Sequence, residues 1–181
     1  GELFQFKNAA RGLRAIAATK GQALYGGEIA EAIEKFAKDH GGSITAKDLA
    51  DFKPEWVKPM AQDYRGYTLH EIPPNGQGIA ALIALGILSN FDLASHKVDS
   101  ADSQHLQIEA MKLAFADTYR YVADPRFMEL PPEQMLDPAY LASRAKLIDM
   151  KKAQDFKAGN PVKGGTIYLT AADENGMMIS F

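Results

Sequence analysis

The hydrophobic pattern changes from mostly helical to extended towards the end of these 181 residues, and this change constrains the fold more than any other feature. Over most of the first 150 residues, apolar side chains recur three and four positions apart, as Leu13, Ile16 and Ala17 do, which is typical of amphipathic helices. From residue 166 the pattern is extended, and residues 173–176 end in Asn-Gly, a strong hairpin-turn signal. We therefore predict a mainly α-helical chain with a short C-terminal β-hairpin.

The predicted helices differ in how deeply they are buried. Residues 79–90 are almost entirely apolar, which predicts a helix at the centre of the core. The longest predicted helix covers residues 99–122. Pro54 and Pro59 interrupt the helical pattern ahead of a predicted strand at residues 67–72.

A shift in composition separates the helical and extended parts. Residues 151–165 are polar and contain several glycines, which is typical of a linker. The chain is thus expected to comprise a helical segment at 1–150, a linker at 151–165 and the start of a sheet at 166–181. Both ends read as points inside a longer chain, since the last residues lie within an apolar extended run.

Composition excludes several classes of site. The net charge is −3 and the basic residues are scattered, which argues against a nucleic-acid partner. The absence of cysteine excludes disulfides and thiolate metal sites. Apolar runs fall short of the roughly 18 residues of a membrane span.

Histidine and carboxylate spacing gives little sign of a metal site. The histidines occur without ligand-type spacing, at His40, His70, His96 and His105. His105 and Glu109 share a helix face, which more often indicates a local pair than a metal site.

Two other polar groups allow two interpretations each. Asp117 and Asp124, with Arg120 and Arg126 nearby, could form a buried ion network, but surface pairing and helix-end capping are favoured. The loop at residues 73–78 could present N–H groups to an anion at the next helix, or could be only a tight turn.

Gly164-Gly165-Thr166 lies at the start of the extended run. In one class of amidase, a threonine that begins a chain attacks through its hydroxyl, and its own α-amine is the base. A free α-amine suits this role because its pKa is about 7.7–8.0, whereas a peptide nitrogen has no available lone pair. On these residues alone, an ordinary loop-to-strand junction is the favoured interpretation.

Several stretches together resemble the γ-glutamyltranspeptidase family. They occur in the family's order, at residues 23–30 (ALYGGEIA), 41–49 (GGSITAKDL), 64–66 (YRG), 73–78 (PPNGQG) and 109–117 (EAMKLAFAD). The resemblance implies the helical part of an αββα N-terminal nucleophile hydrolase. It corresponds to the C-terminal part of the large subunit and the first strands of the small subunit.

This resemblance also implies a chemistry that requires neither a metal nor an organic cofactor. It places self-cleavage between Gly165 and Thr166, and makes Thr166 the nucleophile for acyl transfer from γ-glutamyl amides such as glutathione. The implied partners are this substrate and the remainder of the chain's own parent. In the family, the oxyanion hole and the carboxylate-binding arginine lie outside this segment, so residues 1–181 alone are expected to be inactive.

Departures from the family pattern keep alternatives open. Thr166-Ile167-Tyr168 stands where the family commonly has Thr-Thr-His, and the loop at 73–78 differs from the usual PPPSSGG. One alternative is a β-lactam side-chain acylase of the same architecture. Another is a non-catalytic helical interaction module. The family suggests a periplasmic or secreted location, and a cytoplasmic one remains open.

Overall fold

The computed structural model describes residues 1–162 and 170–180, which divide between two compact units, Gly1–Trp56 and Val57–Phe181. The described residues are mainly helical, as the periodicity predicts, and also contain two small antiparallel sheets. Within these two ranges, the helices are all too short or too polar to cross a membrane.

The first unit consists of short helices, at α1 (Lys7–Ala18), α2 (Gln22–Tyr25), α3 (Glu28–Asp39) and α4 (Ala46–Asp51). Helix α4 begins with a capping box. The Asp48 N–H donates to Thr45 Oγ1 at 3.1 Å, and the Thr45 N–H donates to Asp48 Oδ2 at 2.8 Å. These bonds satisfy two backbone donors that the first turn of a helix leaves unpaired.

The second unit begins with a hairpin and continues through three helices to a second hairpin. Its elements are β1 (Met60–Tyr64), β2 (Tyr67–Glu71), α5 (Ile79–Leu88), α6 (Ala101–Tyr121), α7 (Pro138–Ala145), β3 (Thr170–Ala172) and β4 (Met178–Ser180). Short 3₁₀ helices at Leu93–Ser95 and Pro132–Leu136 precede α6 and α7.

Helix α5 lies at the centre of this unit, as its apolar sequence predicts. Ile79, Leu82, Ile83 and Ile87 are fully buried. The helix contacts α6, α7 and the β1–β2 hairpin, so nearly its whole circumference is covered. Burying each such side chain stabilises the fold by about 1.5–3 kcal/mol.

Strand β1 is absent from the sequence predictions, which placed only β2 in this region. Its sequence, MAQDY, contains residues that are depleted in strands, and it follows Pro59 directly. It forms because it pairs antiparallel with β2, from Met60 opposite Glu71 to Tyr64 opposite Tyr67. Met60 is buried in the core that α5 organises.

The C-terminal hairpin forms where the Asn-Gly turn predicts it. Strands β3 and β4 pair antiparallel, with Thr170 opposite Ser180. The Asp173 carboxylate accepts from the N–H groups of Asn175 and Met177, at 3.0 and 2.9 Å, and so closes the turn. The earlier part of the predicted strand, from residue 166, lies outside the described residues.

Replacing a glycine in the middle of a helix by alanine should have opposite effects in α5 and in α1. A Cβ on Gly86 would overlap Leu141 Cδ1 of α7, whereas a Cβ on Gly12 of α1 would meet no atom within 4 Å. We expect Gly86→Ala to lower the free energy of unfolding by about 1–3 kcal/mol through overpacking. Gly12→Ala should raise it by about 0.5–1 kcal/mol through helix propensity. Thermal unfolding of the full-length protein measures both, and equal effects would contradict this account of α5.

Candidate functional site

The predicted nucleophile Thr166 and its neighbour Gly165 lie outside the described residues. The chain that leads towards them is described as far as residue 162. Residues 149–159, which we call the approach segment, contain neither helix nor strand. This segment is nevertheless fixed by hydrogen bonds to side chains of α6 and α7.

Polar side chains of α6 bind the approach segment at three points along the helix. His105 Nε2 lies 2.9 Å from the Asp149 carbonyl oxygen. Glu109 Oε2 accepts from the Gln154 N–H at 3.1 Å. Asp117 Oδ1 accepts from the Gly159 N–H at 2.8 Å.

These contacts follow the same order in both segments, so the approach segment runs in the direction of α6. Twelve helical residues separate the first and last contacts on α6, which corresponds to roughly 18 Å of helix axis. Tyr121, one turn beyond Asp117, adds a bond from its hydroxyl to the Gly159 carbonyl at 2.7 Å. Gly159 is therefore held through both its N–H and its carbonyl group.

Glu109 is a buried carboxylate, and each of its two oxygens has a hydrogen-bond partner. Its side chain is 1% exposed, and Lys112 Nζ lies 2.6 Å from Oε1. The same ammonium lies over the Phe156 ring at 5.4 Å. A buried carboxylate needs such partners because it has lost its hydration shell.

Asp117 is the centre of the most buried polar cluster. The Tyr140 hydroxyl donates to Oδ2 at 2.8 Å, and Arg144 Nη2 lies 3.0 Å from Oδ1. Arg144 Nη2 also donates to the Lys157 carbonyl at 2.9 Å. The Asp117 side chain is fully buried and that of Arg144 is 6% exposed. Two opposite charges and the backbone of the approach segment thus meet at one buried site.

Helix α7 brings two of these side chains into the cluster. Asp137 caps the helix by accepting from the Tyr140 N–H at 3.0 Å, and Pro138 occupies the first turn. This start places Tyr140 and Arg144 one turn apart on the buried face. Burial and the negative charge of Asp117 raise the pKa of Tyr140, so its hydroxyl stays protonated and remains a donor.

The sequence prediction for the charged groups was right at the surface and wrong for Asp117. Arg126 pairs with Asp124 and Arg120 with Glu129, each at 2.6 Å on exposed positions. Asp117 instead pairs with Arg144 in the interior. A signal for this was available, because Asp117 continues the apolar stripe that is formed by Leu106, Ala110 and Leu113.

The structure also shows what becomes of the predicted His105–Glu109 pair and of the loop at residues 73–78. Among the described residues, His105 and Glu109 form no bond to each other, and each binds the approach segment instead. The loop at 73–78 turns at residues 74 and 75, and the Ala80 N–H in the first turn of α5 donates to the Gln77 carbonyl at 2.9 Å. A Cβ on Gly78 would overlap the Glu71 carboxylate, so an acidic group already lies beside the start of α5.

The sequence as a whole matches a known family model. This model is described as gamma-glutamyltranspeptidase, and it matches residues 1–181. Among curated proteins, the chain is 33% identical over its full length to the glutathione hydrolase-like YwrD proenzyme of Bacillus subtilis (strain 168). It is 37% identical, over 94% of its length, to the acylase ACY 1 proenzyme of Pseudomonas sp. (strain SE83).

A solved structure supports the same relationship. The cephalosporin acylase from Bacillus halodurans superimposes with a TM-score of 0.72 over 99% of this chain, at 44% sequence identity. The chain spans about a third of each of these proteins, at 34%, 31% and 32% of their lengths.

Proposed function

Because the chain belongs to the γ-glutamyltranspeptidase family, we propose that its parent protein is a self-cleaving amidase that uses Thr166 as its nucleophile. The observation that carries this proposal is the match of the family model over all 181 residues. By sequence, Gly165 and Thr166 lie at the start of the predicted extended run, shortly before the turn that begins at Asp173, where the resemblance places the cleavage site.

Self-cleavage is the first reaction of this proposal. The Thr166 hydroxyl attacks the Gly165 carbonyl carbon, the carbon–nitrogen bond breaks, and the hydroxyl proton is transferred to the departing nitrogen. Water then hydrolyses the resulting ester, which leaves a carboxylate on Gly165 and restores the hydroxyl. The net reaction consumes one water and frees the Thr166 α-amine, whose ordinary pKa of about 7.7–8.0 suits a general base.

Acyl transfer is the second reaction. The Thr166 amine accepts the hydroxyl proton as the oxygen attacks the substrate amide, and the leaving amine takes up a proton as the acyl-enzyme forms. Water or an acceptor amine then releases the acyl group. We propose γ-glutamyl amides, such as glutathione, as the first substrate class.

The same proposal covers the architecture. Residues 1–150 belong to the helical layers of an αββα N-terminal nucleophile hydrolase, 151–165 precede the cleavage point, and 166–181 open the small-subunit sheet. Residues 1–181 alone are inactive in this proposal, because the oxyanion donors and the substrate-carboxylate site come from the rest of the parent. Each missing oxyanion donor corresponds to about 2.7–4 kcal/mol of transition-state stabilisation.

A second substrate class is favoured by particular comparisons. Two of the three similar proteins described above are named acylases, at 44% and 37% identity. A cephalosporin with an amide-linked acyl side chain is therefore the alternative substrate. The cleavage chemistry is unchanged, and only the acyl pocket differs.

Mass spectrometry and a substrate panel on the full-length protein test this proposal. We expect two subunits, the smaller beginning at Thr166, and release of amine from a γ-glutamyl anilide. Release from the cephalosporin amide alone would favour the acylase alternative. A single uncut chain that is inactive on both substrates would contradict the enzymatic proposal and favour a non-catalytic helical module.

A further inference from the structure

We propose that Asp117, Tyr140, Arg144 and Tyr121 form a clamp that positions the chain ahead of the scissile bond and thereby sets the rate of self-cleavage. This inference rests on the proposed function, because it assumes that cleavage occurs between Gly165 and Thr166. The four side chains are positioning residues: Asp117, Tyr121 and Arg144 bond to the backbone of the approach segment, and the Tyr140 hydroxyl donates to Asp117.

The clamp binds main-chain atoms of the approach segment. Asp117 accepts from the Gly159 N–H, Tyr121 donates to the Gly159 carbonyl, and Arg144 donates to the Lys157 carbonyl. Bonds to main-chain atoms fix the path of the approach segment directly, without depending on the rotamers of that segment's own side chains. Residues 157 and 159 are thus held to both α6 and α7.

Close packing at Gly159 supports a defined position. A Cβ there would overlap the Tyr140 hydroxyl and would lie 3.0 Å from Arg144 Cδ. The backbone therefore approaches the cluster as closely as a residue without a side chain allows. Such close packing is not expected for a linker that is only loosely attached to the helices.

The burial of charge gives an independent argument. A buried ion pair is often no more stabilising than well-packed apolar residues of similar volume, because desolvation opposes the attraction between the charges. An apolar core at this point could stabilise the fold equally well. It could not bond to the N–H and carbonyl groups of the approach segment, and this is what the ionic cluster does.

Chain length shows why an anchor here matters. Gly165 follows Gly159 by six positions, whereas it follows Gln154, which makes the last hydrogen bond to α6 ahead of the clamp, by eleven. A random-coil chain of six residues has a root-mean-square span of roughly 14 Å, against roughly 18 Å for eleven residues. The clamp therefore confines the start of the scissile region, and reactions between groups held in proximity are faster.

Self-cleavage of the freshly made full-length precursor tests the clamp. Tyr140→Phe and Tyr121→Phe each remove one hydroxyl, and we expect each to slow cleavage at least tenfold. Tyr119→Phe is the matched control, because Tyr119 is exposed on the same helix, and it should cleave at the wild-type rate. The rates are measured from the fraction of uncut chain over time on denaturing gels.

Two further measurements separate positioning from stability. Leu113→Ala creates a core cavity without touching the clamp, so it should lower the unfolding midpoint while cleavage stays within about threefold of wild type. Fully processed Tyr121→Phe enzyme should have an unchanged kcat. If Tyr140→Phe fails to fold, Tyr121→Phe decides the outcome alone.

The outcomes also separate this inference from the proposed function. Wild-type protein that cleaves before Thr166, with both clamp variants cleaving as fast, would overturn the clamp and leave the function intact. Clamp variants that cleave no more slowly than Leu113→Ala does at a similar loss of stability would also overturn it. Wild-type protein that never cleaves would overturn both proposals.

Discussion

The full-length Thr166→Ala variant is expected to remain a single uncut chain and to lose amide hydrolysis by at least about a thousandfold. Alanine has no hydroxyl, so neither the self-cleavage attack nor acyl-enzyme formation has a nucleophile. Intact mass and the initial rate of amine release from a γ-glutamyl anilide measure the two losses separately.

Two controls accompany this variant. Thr166→Ser keeps a hydroxyl beside an α-amine, so it should still cleave and retain activity. Thr170→Ala removes a threonine four residues further along the same extended run, and it should process normally. A Thr166→Ala protein that splits at the same bond would move the nucleophile elsewhere and contradict the assignment.

The second large effect concerns the buried ion pair. Arg144→Met should lower the free energy of unfolding by about 3–5 kcal/mol, because it leaves the Asp117 carboxylate buried without its cation. The same change also removes the bond to the Lys157 carbonyl. The shift of the thermal or urea unfolding midpoint of the full-length protein measures this loss.

Arg120→Met is the matched control for this experiment. Arg120 makes an even shorter ion pair with Glu129, at 2.6 Å, but both side chains are at least half exposed. Surface pairs contribute little because water screens them, so the unfolding midpoint should stay close to that of the wild type. If both arginine variants shifted the midpoint equally, burial would not explain the cost of losing Arg144.

Local features of the sequence determined most of the secondary structure. The capping box at Thr45, the apolar run of α5 and the Asn-Gly turn of the last hairpin each depend on residues a few positions apart. Their physical causes are therefore readable without a fold. The family resemblance is of the same kind, since it rests on ordered motifs.

Tertiary structure decided the features that depend on distant partners. Strand β1 has little strand propensity of its own. It forms because it pairs with β2 and because Met60 packs into the core beside α5. Asp117 has Arg120 one turn away on the same helix, yet it pairs with Arg144 on α7 because its position faces inward. Sequence spacing favours the nearer arginine, and only packing selects the other.

For the stretch at 109–117, the sequence and the tertiary structure determine different properties. By sequence it is a recognisable motif, and nothing in its spacing says what Glu109 and Asp117 bind. In the fold, both carboxylates are buried and accept backbone N–H groups of the approach segment. The sequence thus determined the helices and pointed to the candidate nucleophile, whereas the fold decided which charges are buried together. The reason is that desolvation and pairing act only on side chains that packing has brought into contact.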